Sequence, residues 1–198
     1  MPDDEAKAVL LRYLRTAREA VVWKLDGLSE YDARRPVVPT GTNLLGLVKH
    51  LACVEAEYLG VVFGRPFSEP MPWTDGDADP NDDMWATPEE TREVIVDLYR
   101  RAWAHADATV DSLPLDAQGR VPWWPPERAG VTLHTVLVHI TAETNRHAGH
   151  ADIVRELVDG AAGLRPDSSN LPPGDRSWWE GHRARVEAAA REAAARAD

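Results

Sequence analysis

Cysteine is almost missing from this chain, since Cys53 is the single one among 198 residues. One thiol cannot form a disulfide within the chain, which excludes a small disulfide-stabilised fold and fits a reducing compartment. No apolar run approaches the ~20 residues that a membrane-spanning helix needs. The N-terminus also lacks the basic and apolar segments of a secretory leader. We therefore expect a soluble, cytoplasmic protein without a membrane partner.

Positive charge is scarce as well, because the formal net charge is -11 at pH 7. The arginines are scattered among carboxylates and form no stripe. Nucleic-acid binding depends on clustered lysine and arginine that neutralise phosphates, so we exclude DNA and RNA as partners. An anionic membrane surface is excluded for the same reason. A chain of this length suits one domain with a real hydrophobic core.

Apolar residues recur at three- and four-residue intervals, which is the pattern of amphipathic helices. Four core helices are predicted over residues 5 to 28, 43 to 63, 87 to 113 and 132 to 160, and no segment has a convincing strand pattern. A fifth helix, rich in alanine and arginine, is predicted to begin near Trp178.

The predicted helix starts and loops complete this picture. Thr42, Thr87 and Thr132 stand at N-cap positions, and Thr87 opens a capping box. The Pro-, Gly- and Asp-rich stretch from 64 to 86 is predicted to be a long surface loop. The prediction is an all-α four-helix bundle over 1–160 with long crossing loops. A linker and C-terminal helix over 161–198 pack on the bundle or on a partner, within a single domain overall.

Titratable side chains are concentrated in HITAETNRHAGHADIVREL, residues 139–157 of the fourth predicted helix. At about 100° per residue, His139, Glu143, His147 and His150 share the sector of the aliphatic side chains. An ionised Glu143 in that sector needs a partner, because a buried carboxylate without one is strongly unfavourable. A divalent metal would satisfy Glu143 together with a neutral His147 one turn away.

A third ligand is available in the second predicted helix, GLVKHLACVEAEYLG. Its His50 lies at the margin of the apolar stripe, where it can face the fourth helix from the opposite wall. Two histidines and one carboxylate from facing helices make a bundle-core metal site with open positions. The same spacings also suit a buried hydrogen-bond network without a metal, so both alternatives remain open. His105, His134 and His182 have no such neighbours.

On these residues the chain resembles the DinB-like superfamily of four-helix proteins with a metal site between helices. It is most similar to the actinobacterial branch that resembles the N-terminal domain of mycothiol-dependent maleylpyruvate isomerase. The likeness is carried by TGTNLLGLVKHLACVEAEYLG, HITAETNRHAGHADIVRELVDG and the terminal SWWEGHRARVEAAAR. The resemblance implies metal ligands at His50, Glu143 and His147, with Glu-x-x-x-His as in the isomerase-like members.

Two further histidines, His139 and His150, lie close to the implied ligands in the sequence but are not part of the implied ligand set. His150 stands where many family members have glutamine, so it is either a neighbour of the ligands or a competing ligand. His139 is a candidate to orient Glu143 through a hydrogen bond.

The resemblance also implies thiol chemistry and a homodimer. A divalent metal, zinc first and nickel, iron or manganese next, would activate the small thiol mycothiol toward an electrophilic substrate. The product would arise by S-transfer or by double-bond isomerisation. The sequence identifies no further catalytic or cofactor-binding residue. Two other functions stay open: a non-catalytic, stress-associated metal-binding dimer, and an iron-dependent oxygenase-like enzyme, which uses the same two-histidine, one-carboxylate ligand set.

Overall fold

The computed structural model describes residues 3–74 and 78–197 and confirms the all-α prediction. Its helices are α1 (Asp3–Trp23), α2 (Glu30–Arg34), α3 (Leu44–Tyr58), α4 (Arg92–Ser112), α5 (Leu133–Asp159) and α6 (Arg176–Ala195). Single 3-10 turns lie at Val61–Phe63, Pro72–Thr74 and Asp82–Met84. The long helices α1, α3, α4 and α5 form the bundle, in which α3 packs against α4 and α5 while α1 packs against α5.

The apolar stripes predicted from periodicity fill two parts of the core. One part holds Leu44, Leu47 and Leu51 of α3 against the later half of α5. The other holds Leu133, Leu137 and other residues of the earlier half of α5 against the end of α3. The stretch of α5 from 141 to 147 lies between these two parts, so its polar side chains are placed where apolar packing is interrupted.

Helix starts differ from the prediction at two places. Asn43 caps α3 instead of Thr42, and its Oδ1 accepts a hydrogen bond from the Gly46 N–H at 2.8 Å. Thr91 caps α4 instead of Thr87, four residues later than predicted. Both pairs of candidate caps offer similar side-chain oxygens, so the choice depends on where the helix can pack.

Other helix ends agree more closely with the sequence. Thr132 caps α5 as predicted, and Gly160 follows this helix with a φ of 84°, a conformation that favours glycine. The first helix ends at Trp23 rather than near residue 28, and the short α2 follows it. The last helix begins at Arg176, two residues before the predicted start.

A small antiparallel ribbon was not predicted. Its strands are β1 (Gln118–Arg120) and β2 (Gly130–Thr132), with Gly119 opposite Val131. A Cβ at Gly119 would approach the Phe63 ring to 2.7 Å, so the close packing favours glycine here. Strands of three residues are too short to show a period of two, which explains why the pattern missed them.

The described parts of the predicted surface loop, residues 64–74 and 78–86, pack on the helices instead of projecting from them. Asn43 Nδ2 donates to the Met84 carbonyl at 3.2 Å, and the Trp73 indole N–H donates to Cys53 Sγ at 2.8 Å. We call residues 78–86, the part of this loop nearest the start of α3, the strap. The strap includes the 3-10 turn Asp82–Met84.

The C-terminal helix is the least buried of the long helices. None of the described side chains of α6 is buried. A cavity of about 550 Å³ separates it from the end of α5 and is lined by Glu156, Trp179 and His182, among others. None of the helices in the described residues combines the length and the apolar character that crossing a bilayer requires.

Candidate metal site between two helices

Three donor groups converge between α3 and α5. His50 Nε2 lies 3.9 Å from Glu143 Oε1, and His147 Nε2 lies 2.9 Å from the same oxygen. All three donor atoms lie within 4.8 Å of one another. The imidazole rings of His50 and His147 meet edge to face, with centroids 4.8 Å apart. The structure thus brings together the three residues that the sequence singled out.

Helix geometry explains this convergence. Glu143 and His147 are four residues apart, so they lie one turn apart on the same face of α5. His50 reaches them from the facing side of α3. The His147 side chain is only 10 % exposed, whereas that of Glu143 is 31 % exposed. The site therefore opens toward solvent on the side of the carboxylate.

The donor set fits a divalent ion. A tetrahedral ion with bonds of ~2.1 Å to nitrogen and oxygen needs donor atoms ~3.4 Å apart. The two separations measured to Glu143 Oε1, 2.9 and 3.9 Å, lie on either side of this value. Small rotations of the side chains would equalise them. Three protein ligands leave an open position, as catalytic metal sites require.

The protonation state of His147 also suits a ligand. Burial lowers the pKa of the imidazole, and the proximity of His50 lowers it further, while Glu143 acts in the opposite direction. The ring is therefore neutral at pH 7, and metals bind neutral imidazole. His147 Nδ1 lies 3.3 Å from Nδ1 of His150. His150 thus contacts the far side of the His147 ring and lies outside the three converging donors.

Asp83 of the strap is a component that the sequence analysis missed. Its Oδ2 lies 2.6 Å from His50 Nδ1. An ionised carboxylate only accepts, so the His50 Nδ1 carries the proton and donates it. This hydrogen bond lowers the pKa of Asp83 despite partial burial, which keeps the carboxylate ionised. The His50 Nε2, which faces Glu143, is consequently the nitrogen with a free lone pair.

A family comparison covers the helices that build the site. The family model described as mycothiol-S-transferase matches residues 9–160, from α1 to the residue after α5. The chain belongs to the mycothiol-S-transferase family. This family is part of the DinB-like superfamily, so the predicted resemblance is confirmed. A comparison with curated proteins finds no match.

In this mycothiol-S-transferase family member, His139 has a different environment from the predicted one. Its ring packs on Tyr58 and Trp124, with centroids 4.9 and 5.3 Å away. The Tyr58 hydroxyl oxygen accepts the indole N–H groups of Trp123 and Trp124 at 3.1 and 2.9 Å. His139 therefore belongs to an aromatic cluster one turn from Glu143. The hydrogen bonds of the described residues include none between His139 and Glu143.

The remaining histidines lie away from the donor groups. His134 is exposed near the start of α5. His105 Nε2 is 2.6 Å from the Arg65 carbonyl oxygen, and His182 stacks on Trp178 in α6. Helix α6, which carries His182, lies beyond the residues that the family model matches.

Proposed function

We propose that the chain is a divalent-metal-dependent S-transferase that uses mycothiol, with His50, Glu143 and His147 as the metal ligands. The convergence of these three donor atoms within 4.8 Å supports this function. Membership of the mycothiol-S-transferase family supports the choice of thiol. We favour zinc, because two imidazoles and a carboxylate with an open position are a common catalytic zinc site. Nickel, iron and manganese also accept this ligand set.

The environment of Cys53 supports a small-molecule thiol as the nucleophile. Burial raises the pKa of the Cys53 thiol to about 12, so the reactive thiolate is very scarce at neutral pH. Its Sγ is buried, donates a hydrogen bond to the Lys49 carbonyl and accepts one from the Trp73 indole N–H. The chain has no second cysteine. These properties of Cys53 favour a bound small-molecule thiol as the source of the reacting sulfur.

The chemistry follows from the donor set. A divalent ion held here would lower the pKa of a thiol bound at its open position and supply thiolate at neutral pH. Glu143 would offset part of the positive charge of the ion, and the imidazoles of His50 and His147 would hold it together with Glu143. In transfer, a sulfur electron pair forms a bond to an electrophilic carbon, and the leaving group departs with the electrons of its own bond. In isomerisation, the sulfur adds to a double bond and leaves again after rotation.

Assembly and location extend this proposal. Exposed apolar side chains lie near the end of α5 and on α6, namely Ile153, Leu157, Trp178 and Val186. Grouped apolar exposure is typical of interfaces, so we propose a homodimer in which α6, outside the 1–160 bundle, packs on a second copy. Light scattering of the full chain tests this arrangement, and a monomer contradicts it. We propose the cytoplasm as the location, because thiols stay reduced there.

One experiment tests the metal and the reaction together. Metal content of the purified full chain is measured by mass spectrometry, and mycothiol conjugation to chlorodinitrobenzene is followed by absorbance. We expect one ion per chain and measurable conjugation in the parent. His147→Ala should lose both, because it removes a ligand. The matched control His134→Ala, on the exposed face of the same helix, should retain both.

The outcomes separate the alternatives. Folded parent protein that binds no divalent metal contradicts the metal site. Bound metal without mycothiol binding or conjugation contradicts the transferase and favours the non-catalytic metal-binding protein. Bound iron with oxygen consumption and no conjugation favours the oxygenase-like enzyme.

A further inference from the structure

The strap is anchored to α3 at the two residues that follow Asp83. The Met84 carbonyl accepts a hydrogen bond from Nδ2 of Asn43, the N-cap of α3, at 3.2 Å. Lys49 Nζ donates to the next carbonyl, that of Trp85, at 2.9 Å and forms an ion pair with Glu90. Lys49 is itself buried. These contacts hold the strap backbone at a defined height along α3.

Gly46 permits the closest part of this contact. A Cβ at Gly46 would lie 1.8 Å from the Met84 carbonyl oxygen, far inside the contact distance of real atoms. Only glycine lets the two backbones approach this closely. Gly46 is four residues before His50, so the strap presses on the turn of α3 directly preceding the histidine.

The strap places Asp83 beside Nδ1 of His50, the ring nitrogen that points away from Glu143. The hydrogen bond of 2.6 Å selects the tautomer and restricts the rotation of the ring. The backbone anchors restrict Asp83 in turn. His50 is therefore held in a metal-ready orientation by a segment that is more than thirty residues away in the sequence.

We propose that Asp83 is a positioning residue for His50, and that docking of the strap on α3 and metal binding at His50, Glu143 and His147 stabilise each other. The inference rests on the metal site proposed above. If the docked strap, by holding His50, raises metal affinity by some factor, then bound metal makes docking of the strap more favourable by the same factor. This follows because the coupling between two equilibria is reciprocal. Asp83 acts through His50 and does not itself bind the metal.

Zinc affinity of the full chain, measured by competition with a chelating dye, tests the positioning role. Asp83→Asn keeps the shape of the side chain but removes the charged acceptor, and we expect zinc affinity to fall about 10- to 100-fold. Asp82→Asn is the matched control in the same turn. Its carboxylate accepts from the Asp79 N–H instead of from a histidine, and we expect parent-like affinity.

Gly46→Ala tests the docking of the strap without changing a polar group. The added methyl group displaces the Met84 carbonyl, and zinc affinity should fall as it does in Asp83→Asn. Gly181→Ala in α6, where a Cβ meets only the Arg185 side chain at 3.8 Å, is the control. The double variant of Gly46 and Asp83 should bind zinc no more weakly than the weaker single variant, because both changes break one contact.

The reciprocal effect is measured by amide hydrogen exchange. Zinc should slow exchange of the strap amides in the parent, and it should do so much less in Asp83→Asn. Amides of α6 provide the internal control. A role of Asp83 in stability alone would not make strap protection depend on zinc.

The results distinguish this inference from the proposed function. A parent that does not bind zinc overturns the metal site itself. A parent that binds zinc, with equal affinity in Asp83→Asn and no zinc-dependent protection of the strap, overturns this inference alone. Should Gly46→Ala fail to fold by circular dichroism, the pair Asp83→Asn and Asp82→Asn decides the question.

Discussion

Helix α3 carries two polar clusters, and they are built in opposite ways. Around buried Glu55, every charge has an opposite partner. Arg18 donates to Glu55 from Nε at 2.9 Å and to Asp107 from Nη1 at 2.8 Å. Around His50, five residues earlier, the groups that converge are two imidazoles and a carboxylate. Within the described residues, the ion-pair contacts of Glu143 involve histidines alone.

The difference shows how a structural cluster is distinguished from a binding site. Burial by itself would lower the pKa of Arg18, but Glu55 and Asp107 outweigh it and raise the pKa above its usual value. The guanidinium thus stays charged and supplies the cation that its cluster needs. The cluster at His50 contains only groups that accept a cation. We therefore expect the first cluster, Arg18, Glu55 and Asp107, to stabilise the fold, and we call it the closed cluster. The second, His50, Glu143 and His147, is the one that we propose binds the metal, and we call it the open cluster.

The largest expected effect is the loss of stability on breaking the closed cluster. Arg18→Ala leaves Glu55 buried without its partner, and we expect the free energy of unfolding to fall by about 3–5 kcal/mol. Urea unfolding of the metal-free protein measures it. The control Arg15→Ala removes an exposed guanidinium that also contacts Asp107, and should lower stability by less than about 1 kcal/mol. Equal effects of the two substitutions would contradict the comparison.

The open cluster should contribute stability only when a cation is present. Zinc at about 100 times its dissociation constant should raise the free energy of unfolding by about 2.7 kcal/mol, provided that it binds only the folded chain. Glu143→Gln should abolish most of this gain. Glu156→Gln, on an exposed face of the same helix, should preserve it. A gain that persists in Glu143→Gln would place the ion elsewhere.

The two clusters also show what sequence can predict. Glu143 and His147 can be paired from the sequence because residues four apart lie one helical turn apart. His50 can be placed because it lies at the margin of a strong apolar stripe on its helix. These are local signals. The position of Asp83, which accepts from His50 Nδ1, depends on the path of a loop with no periodicity. That path is set by tertiary contacts such as the one at Gly46, which the sequence does not display.

Helix starts show the same limit. Thr87 begins a good capping box, and the structure retains half of it, since Glu90 Oε2 accepts the Thr87 N–H at 2.7 Å. Glu90 also pairs with Lys49 of α3, however, and α4 begins only after Thr91. The helix start predicted at Thr87 is therefore wrong, although one hydrogen bond of the predicted capping box is present.

The smallest effect concerns the acid sensitivity of the metal-free open cluster. Burial and His50 lower the pKa of His147 below its usual 6.5 in the folded protein. The unfolded chain therefore takes up a proton first as the pH falls, so stability is fully present above about pH 6.5 and declines as the pH falls toward the folded-state pKa.

Urea unfolding with a chelator present, at a series of pH values from about 8 to 5, measures this dependence across the histidine range. His147→Gln removes the titrating ring and should make stability decline less steeply with acid than in the parent. His134→Gln removes an exposed ring and should leave the parent slope unchanged. If His147→Gln and the parent lose stability in parallel, the buried imidazole is not the source of acid sensitivity, and the neutral ring inferred for the metal site loses its thermodynamic support.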